Sequence, residues 1–127
     1  MTDQILVVLV EDNDVFREAL ELLLGLRPEL NVIASVADGT EAARVVGELC
    51  PDVVLMDYRL PGLDGVQATR AVLGACPETA VVCLTAEATA REREALMDAG
   101  AVGCLEKDEG LDAIVEAIRK AARPAAA

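Results

Sequence analysis

The sequence predicts an α/β fold, a doubly wound five-stranded parallel sheet with helices on both faces. Three observations predict it. Five short apolar runs alternate with five helical patterns along the chain. The runs are apolar almost without interruption, as strands covered on both faces are. The connections between them are short, which suits successive βα units.

Residues 5–10, ILVVLV, make the first strand. Asp14 precedes a helix in which Phe16, Leu20, Leu23 and Leu24 recur at helical spacing up to Gly25 and Pro28. NVIASV (31–36) is the second strand, and Asp38 with Glu41 opens a helix that ends before Pro51. DVVLMD (52–57) is the third, followed by the turn-rich YRLPGLDG and a helix to about residue 75. In that turn Pro61 and Gly62 shape a tight loop and Asp64 caps the helix. TAVVCLT (79–85) is the fourth strand; Thr89 and Glu92 have capping-box spacing, and Gly100 stops the helix they begin. AVGCLE (101–106) is the fifth, and Leu111, Ile114, Val115 and Ile118 mark the core face of the last helix. RPAAA at the end reads as a frayed terminus or the start of a linker.

Composition narrows the function. A chain of 127 residues is one domain's worth, able to bury about two thirds of its unfolded surface. The core must be aliphatic, because the 54% of hydrophobic residues include one Phe, one Tyr and no Trp. Net charge is −12, with 23 acids against 11 bases, so direct binding of nucleic acid by these residues is not expected. With no histidine, a zinc site or a histidine-dependent triad is hard to build. No apolar run approaches the roughly 20 residues of a membrane span, and MTDQILVV lacks the features of a signal peptide. A soluble, cytoplasmic protein is expected. Cys50, Cys76, Cys83 and Cys104 form no CxxC pair and lie in or beside apolar runs, so they are expected to be free thiols in a reduced compartment.

In a doubly wound sheet, chemistry collects at the carboxyl ends of the strands. The polar residues there are Glu11 and Asp12 after strand one, Asp57 after strand three, Thr85 after strand four and Lys107 after strand five. Each has a plainer role open to it. The acids can be caps or solvated charges, Thr85 can be a strand-end filler, and Lys107 can be a surface lysine neutralised by Glu106 and Asp108. Strand two ends in Val36 and Ala37 and so falls outside the cluster.

With LVEDN, VLMDYRLPGLDG, VVCLTA and CLEKD in this order at the strand ends, the chain resembles the receiver domain of two-component response regulators from residue 4 to about 122. The resemblance implies the flavodoxin-like strand order 2-1-3-4-5, a receiver domain over residues 1–123, and a tail or linker start at 124–127. It further implies that Asp57 accepts a phosphoryl group from a sensor histidine kinase. Glu11 and Asp12 would flank Asp57, and three carboxylates that close repel one another without a cation; Mg2+ is the expected cofactor. Its ligands would be Glu11, Asp12, Asp57 and the backbone carbonyl of Arg59. Lys107 would hold the phosphoryl oxygens, and the Thr85 hydroxyl would move to them as the switch.

Three departures or variable positions accompany the resemblance. Arg59 and Glu87, two residues after the acceptor and the threonine, are expected to tune the phosphoryl lifetime by meeting over the site. Cys104 stands where most receivers carry Tyr or Phe, which implies weaker coupling to the surface of helix four, strand five and helix five. Asp108 follows Lys107 where proline is common, a feature of receivers attached to helix-turn-helix DNA-binding domains. The implied partners are therefore the kinase, an output domain or downstream protein acting on transcription, and a second copy on phosphorylation. The alternative is a free-standing or unphosphorylated receiver-like protein that acts by docking alone. A phosphatase of the haloacid dehalogenase type would need a carboxylate at position 59, which is Arg59, and a flavodoxin-like carrier would need more than EDND in its first loop. The expected role is a signalling switch and not a turnover enzyme.

Overall fold

The computed structural model describes residues 4–122. Each apolar run forms a strand and each amphipathic stretch a helix: β1 (Ile5–Val10), α1 (Asp14–Gly25), β2 (Leu30–Val36), α2 (Gly39–Leu49), β3 (Val53–Asp57), α3 (Gly65–Ala75), β4 (Ala80–Thr85), α4 (Ala90–Asp98), β5 (Gly103–Glu106) and α5 (Leu111–Ala122). One turn of 3-10 helix, Lys107–Glu109, joins β5 to α5. The sheet is parallel with strand order β2-β1-β3-β4-β5, as the sequence predicts. The expected tail at 124–127 lies outside the described residues.

Alternation along the strands divides the core in two. Val8, Val10, Val54, Met56, Val81 and Cys83 pack against Val46 of α2, Val72 of α3 and Leu96 of α4. Val7, Leu9, Val53, Leu55, Val82 and Leu84 face Leu20 and Leu24 of α1 and Ile114, Val115 and Ile118 of α5. The central strand β3 is buried from end to end, so both faces of it demand apolar side chains until Asp57.

Helix starts follow local chemistry. Asn13, one residue before the predicted start, caps α1 by accepting from the Phe16 N–H at 2.9 Å. Asp38 caps α2 through the Glu41 N–H at 2.8 Å. Asp64 with Gln67 and Thr89 with Glu92 form capping boxes on α3 and α4. Strands β3, β4 and β5 begin one or two residues later than predicted. Just ahead of β3, the Asp52 side chain accepts the Leu6 N–H at 2.8 Å and its backbone N–H donates to Leu6 O at 2.9 Å.

Two glycines set the loop after β3. Gly62 adopts φ 86°, a left-handed turn conformation. At Gly65 the N–H donates to Tyr58 O at 2.7 Å, and a Cβ would stand 2.8 Å from Tyr58 Cα. The chain can close over the end of β3 only because no side chain is there.

The cysteines depart from expectation. Cys50 and Cys76 are not free thiols; they form a disulfide between Cα atoms 5.8 Å apart. They sit at the C-caps of α2 and α3, neighbouring helices on one face of the sheet, so tertiary packing brings together residues 26 apart in sequence. Cys83 and Cys104 are free.

Candidate functional site

The parallel register carries the polar strand-end residues to one level. Val10 pairs with Met56, so Glu11 stands beside Asp57; Asp57 pairs with Leu84, and Thr85 with Glu106, so Thr85 and Lys107 follow on the far side. Glu11 is fixed by its surroundings. Its N–H donates to Val36 O at 3.0 Å, its Oε2 accepts the Asn13 N–H at 2.9 Å, and its carbonyl accepts Arg17 Nη1 at 2.8 Å. Glu11 and Asp57 are buried, whereas Asp12 is exposed. Oxygen atoms of all three carboxylates lie within 4.8 Å of one another.

Lys107 crosses to this cluster. Its Nζ lies 2.7 Å from Glu11 Oε1 and 3.6 Å from Asp57 Oδ2, and 4.5 Å from the centre of the Phe16 ring. Burial pushes the Asp57 carboxyl up to about 7, and the adjacent Glu11 charge adds to the shift. The Lys107 ammonium and the Arg59 backbone N–H oppose it. Three carboxylates against one ammonium leave an excess of negative charge that a divalent cation would balance. All three side chains offer hard oxygen donors, the kind that suits Mg2+.

The Thr85 hydroxyl is buried and donates to Glu87 O at 3.2 Å, within its own loop. An open cleft of about 570 Å³ borders the cluster, lined by Asp12, Tyr58, Arg59, Pro61 and Glu92 among others. The expected meeting of Arg59 with Glu87 does not occur. Arg59 instead pairs with Glu92 of α4 at 3.9 Å, because α4 starts directly across the cleft. Glu87 is exposed and contributes its carbonyl to Thr85. Cys104 is half-buried on β5, paired in register with Cys83, and its carbonyl accepts Arg93 Nη1 at 3.0 Å.

Three further contributors carry no site signal in the sequence motifs: Glu92, Phe16 and Arg17. Glu92 was legible only as a capping residue. Phe16, the one phenylalanine of the chain, stands five residues after the first acid, and that proximity was the available signal.

Residues 7–119 match the family of response regulator receiver domains. The chain belongs to that family. The transcriptional regulatory protein LnrK of Bacillus subtilis is 40% identical over 112 residues, 88% of this chain and 51% of the relative. The response regulator GacA of Pseudomonas aeruginosa is 37% identical over 114 residues, 90% of this chain and 53% of the relative. The receiver domain thus spans about half the length of these curated relatives. In three dimensions it is similar to the signal receiver domain of the putative response regulator NarL from Mycobacterium tuberculosis. The TM-score is 0.91, with 32% identity over 97% of this chain and 99% of the other. A LuxR-family response regulator from Aurantimonas gives a TM-score of 0.89 with 31% identity, over 94% of this chain and 86% of the other. The receiver domain is a signalling domain of two-component systems. Among its described residues no helix is long and apolar enough to cross a membrane.

Proposed function

We propose that Asp57 is the phosphoacceptor of this receiver domain, and that a phosphohistidine of a sensor kinase is its donor. The observation that carries the reading is the convergence of Glu11, Asp12 and Lys107 on a buried carboxylate at the end of β3. An Asp57 oxygen attacks the phosphorus, the phosphorus–nitrogen bond of the donor breaks, and the electron pair leaves with the imidazole. Glu11, Asp12, Asp57 and the carbonyl of Arg59 would hold Mg2+. When bound, Mg2+ would neutralise charge on the phosphoryl oxygens and keep Asp57 ionised. Lys107, now on Glu11, would turn its ammonium to a phosphoryl oxygen. Thr85 would exchange its single 3.2 Å bond to Glu87 O for one to the phosphoryl group, altering the face formed by α4, β5 and α5.

The chain then acts as a switch and not as a turnover enzyme. That the chain spans about half of the transcriptional regulatory protein LnrK and of GacA supports a reading in which it serves an output domain in a cytoplasmic transcription regulator, with any DNA binding belonging to that output domain. Homodimer formation on phosphorylation belongs to the same reading. Arg59 would slow hydrolysis by standing over the acyl phosphate, in company with Glu92 and not Glu87. To test the acceptor, the chain is treated with Mg2+ and a small phosphodonor, then with hydroxylamine, which converts an acyl phosphate to a hydroxamate. Peptide mass spectrometry should place the hydroxamate on Asp57; a modified residue elsewhere defeats the assignment.

A further inference from the structure

The disulfide between Cys50 and Cys76 lies at the end of the sheet away from Asp57, and phosphoryl transfer does not use it. Its placement has three consequences. The Cα separation of 5.8 Å falls inside the usual disulfide range of about 4.4–6.8 Å, so these helix ends accept a bridge where they stand. Each cysteine is the C-cap of its helix, at the negative end of the helix dipole. Reactive thiols of redox proteins occupy the opposite end, where a thiolate is stabilised. Here the reduced form receives no such help. The two residues also differ in exposure: Cys50 is exposed and Cys76 is buried.

The bridge closes a ring around β3, the loop after Asp57 and α3. At the other end of α2, the Gly39 N–H donates to Pro61 O at 3.3 Å. A Cβ at Gly39 would stand 2.8 Å from Leu63 O, so α2 already touches that loop closely there. With the bridge formed, α2 is held to the β3–α3 unit at both ends.

We propose that Cys50 and Cys76 form a reversible thiol–disulfide site, poised toward the bridged state, that staples α2 to the acceptor-bearing β3–α3 unit and exchanges with small thiols and disulfides through Cys50. In the oxidising direction the Cys50 thiolate attacks oxidised glutathione and expels one glutathione thiolate, giving a mixed disulfide. The deprotonated Cys76 then attacks Cys50 Sγ and expels the second. Two protein thiols lose two electrons and two protons, and one oxidised glutathione becomes two reduced. Reduction runs the same steps backward, with attack again on the sulfur of Cys50, the exposed residue. This reconciles a disulfide with the cytoplasmic setting proposed above, because a bridge poised in this way would stay formed in equilibrium with a reducing glutathione pool.

The test equilibrates the chain in glutathione buffers, followed by acid quench, alkylation and intact mass. With reduced glutathione in about hundredfold excess over oxidised, most molecules should remain bridged. Under oxidised glutathione, Cys76→Ser should accumulate an adduct on Cys50, and Cys50→Ser should show little adduct on Cys76. Bridging should raise the thermal midpoint of the wild type by about 10 °C, while Cys50→Ser should not respond to reductant. A chain that is mostly dithiol in that buffer overturns the poise. Adducts that favour Cys76 overturn the route, and equal thermal midpoints with and without the bridge overturn the staple.

Discussion

Lys107 places its ammonium 2.7 Å from the carboxylate of Glu11, a residue at the end of a strand on the far side of β3 and β4. Sequence neighbours Glu106 and Asp108 are nearer along the chain, yet the ion pairs of Lys107 among the described residues go to Glu11 and Asp57. Removing the lysine leaves two buried acids beside each other. Lys107→Ala should therefore lower unfolding stability by about 2 kcal/mol, short of the cost at a fully buried pair because the lysine side chain is 22% exposed. Urea titration measures this, and Mg2+ should restore part of the loss.

Asp57 makes stability depend on pH. Its carboxyl is pushed up to about 7 in the fold, above the ordinary value of 3.8. The folded state thus holds a proton that the unfolded chain has released. The contribution is fully present below the unfolded value and is lost as pH rises through about 7. Without Mg2+, the wild type should lose stability between pH 4 and pH 7.5 relative to Asp57→Asn, and Mg2+ should stabilise it more at pH 8 than at pH 5.5. Thermal melts of both proteins across this range decide the matter; parallel curves would contradict the assignment.

The pairing of Arg59 with Glu92 makes the lifetime of the phosphorylated form a property of α4 as well as of the loop. Arg59 is largely exposed, so the pair is worth at most about 1 kcal/mol, or roughly fivefold in rate. Arg59→Ala should accelerate loss of the phosphoryl group within that limit. Glu92→Gln keeps an amide able to close the capping box but drops the charge, so it should change the rate while leaving the thermal midpoint near that of the wild type. Glu87→Ala should have less effect than either. Dephosphorylation rates followed by intact mass distinguish the three.

Much of this was legible in the sequence, for physical reasons. Continuous apolar runs such as VVLM admit few readings besides a doubly covered strand, and Asp38, Asp64 and Thr89 announce helix starts through local hydrogen bonds. The level of Glu11 with Asp57 follows once the strands are parallel and ordered. What was not legible depends on where helices come to rest. The Cys50–Cys76 bridge needs α2 and α3 to end side by side, and the Arg59–Glu92 pair needs the first turn of α4 to face the cleft. Neither has a spacing in the sequence that encodes it.

Cys104 tests how the switch is transmitted. A half-buried thiol offers little difference in packing between two states, whereas an aromatic ring buries about 150 Å² or more. Beryllofluoride, a phosphoryl mimic, should therefore shift fewer NMR resonances across α4, β5 and α5 in the wild type than in Cys104→Tyr. Equal shifts in the two would show that no ring is needed.

The central claim is that Asp57 accepts a phosphoryl group with the help of the acids and the lysine around it. Intact-mass measurement after incubation with acetyl phosphate tests it most directly. The account predicts one added phosphoryl group that requires Mg2+ and is absent from Asp57→Asn. No addition to the wild type, or equal addition to the variant, would contradict it.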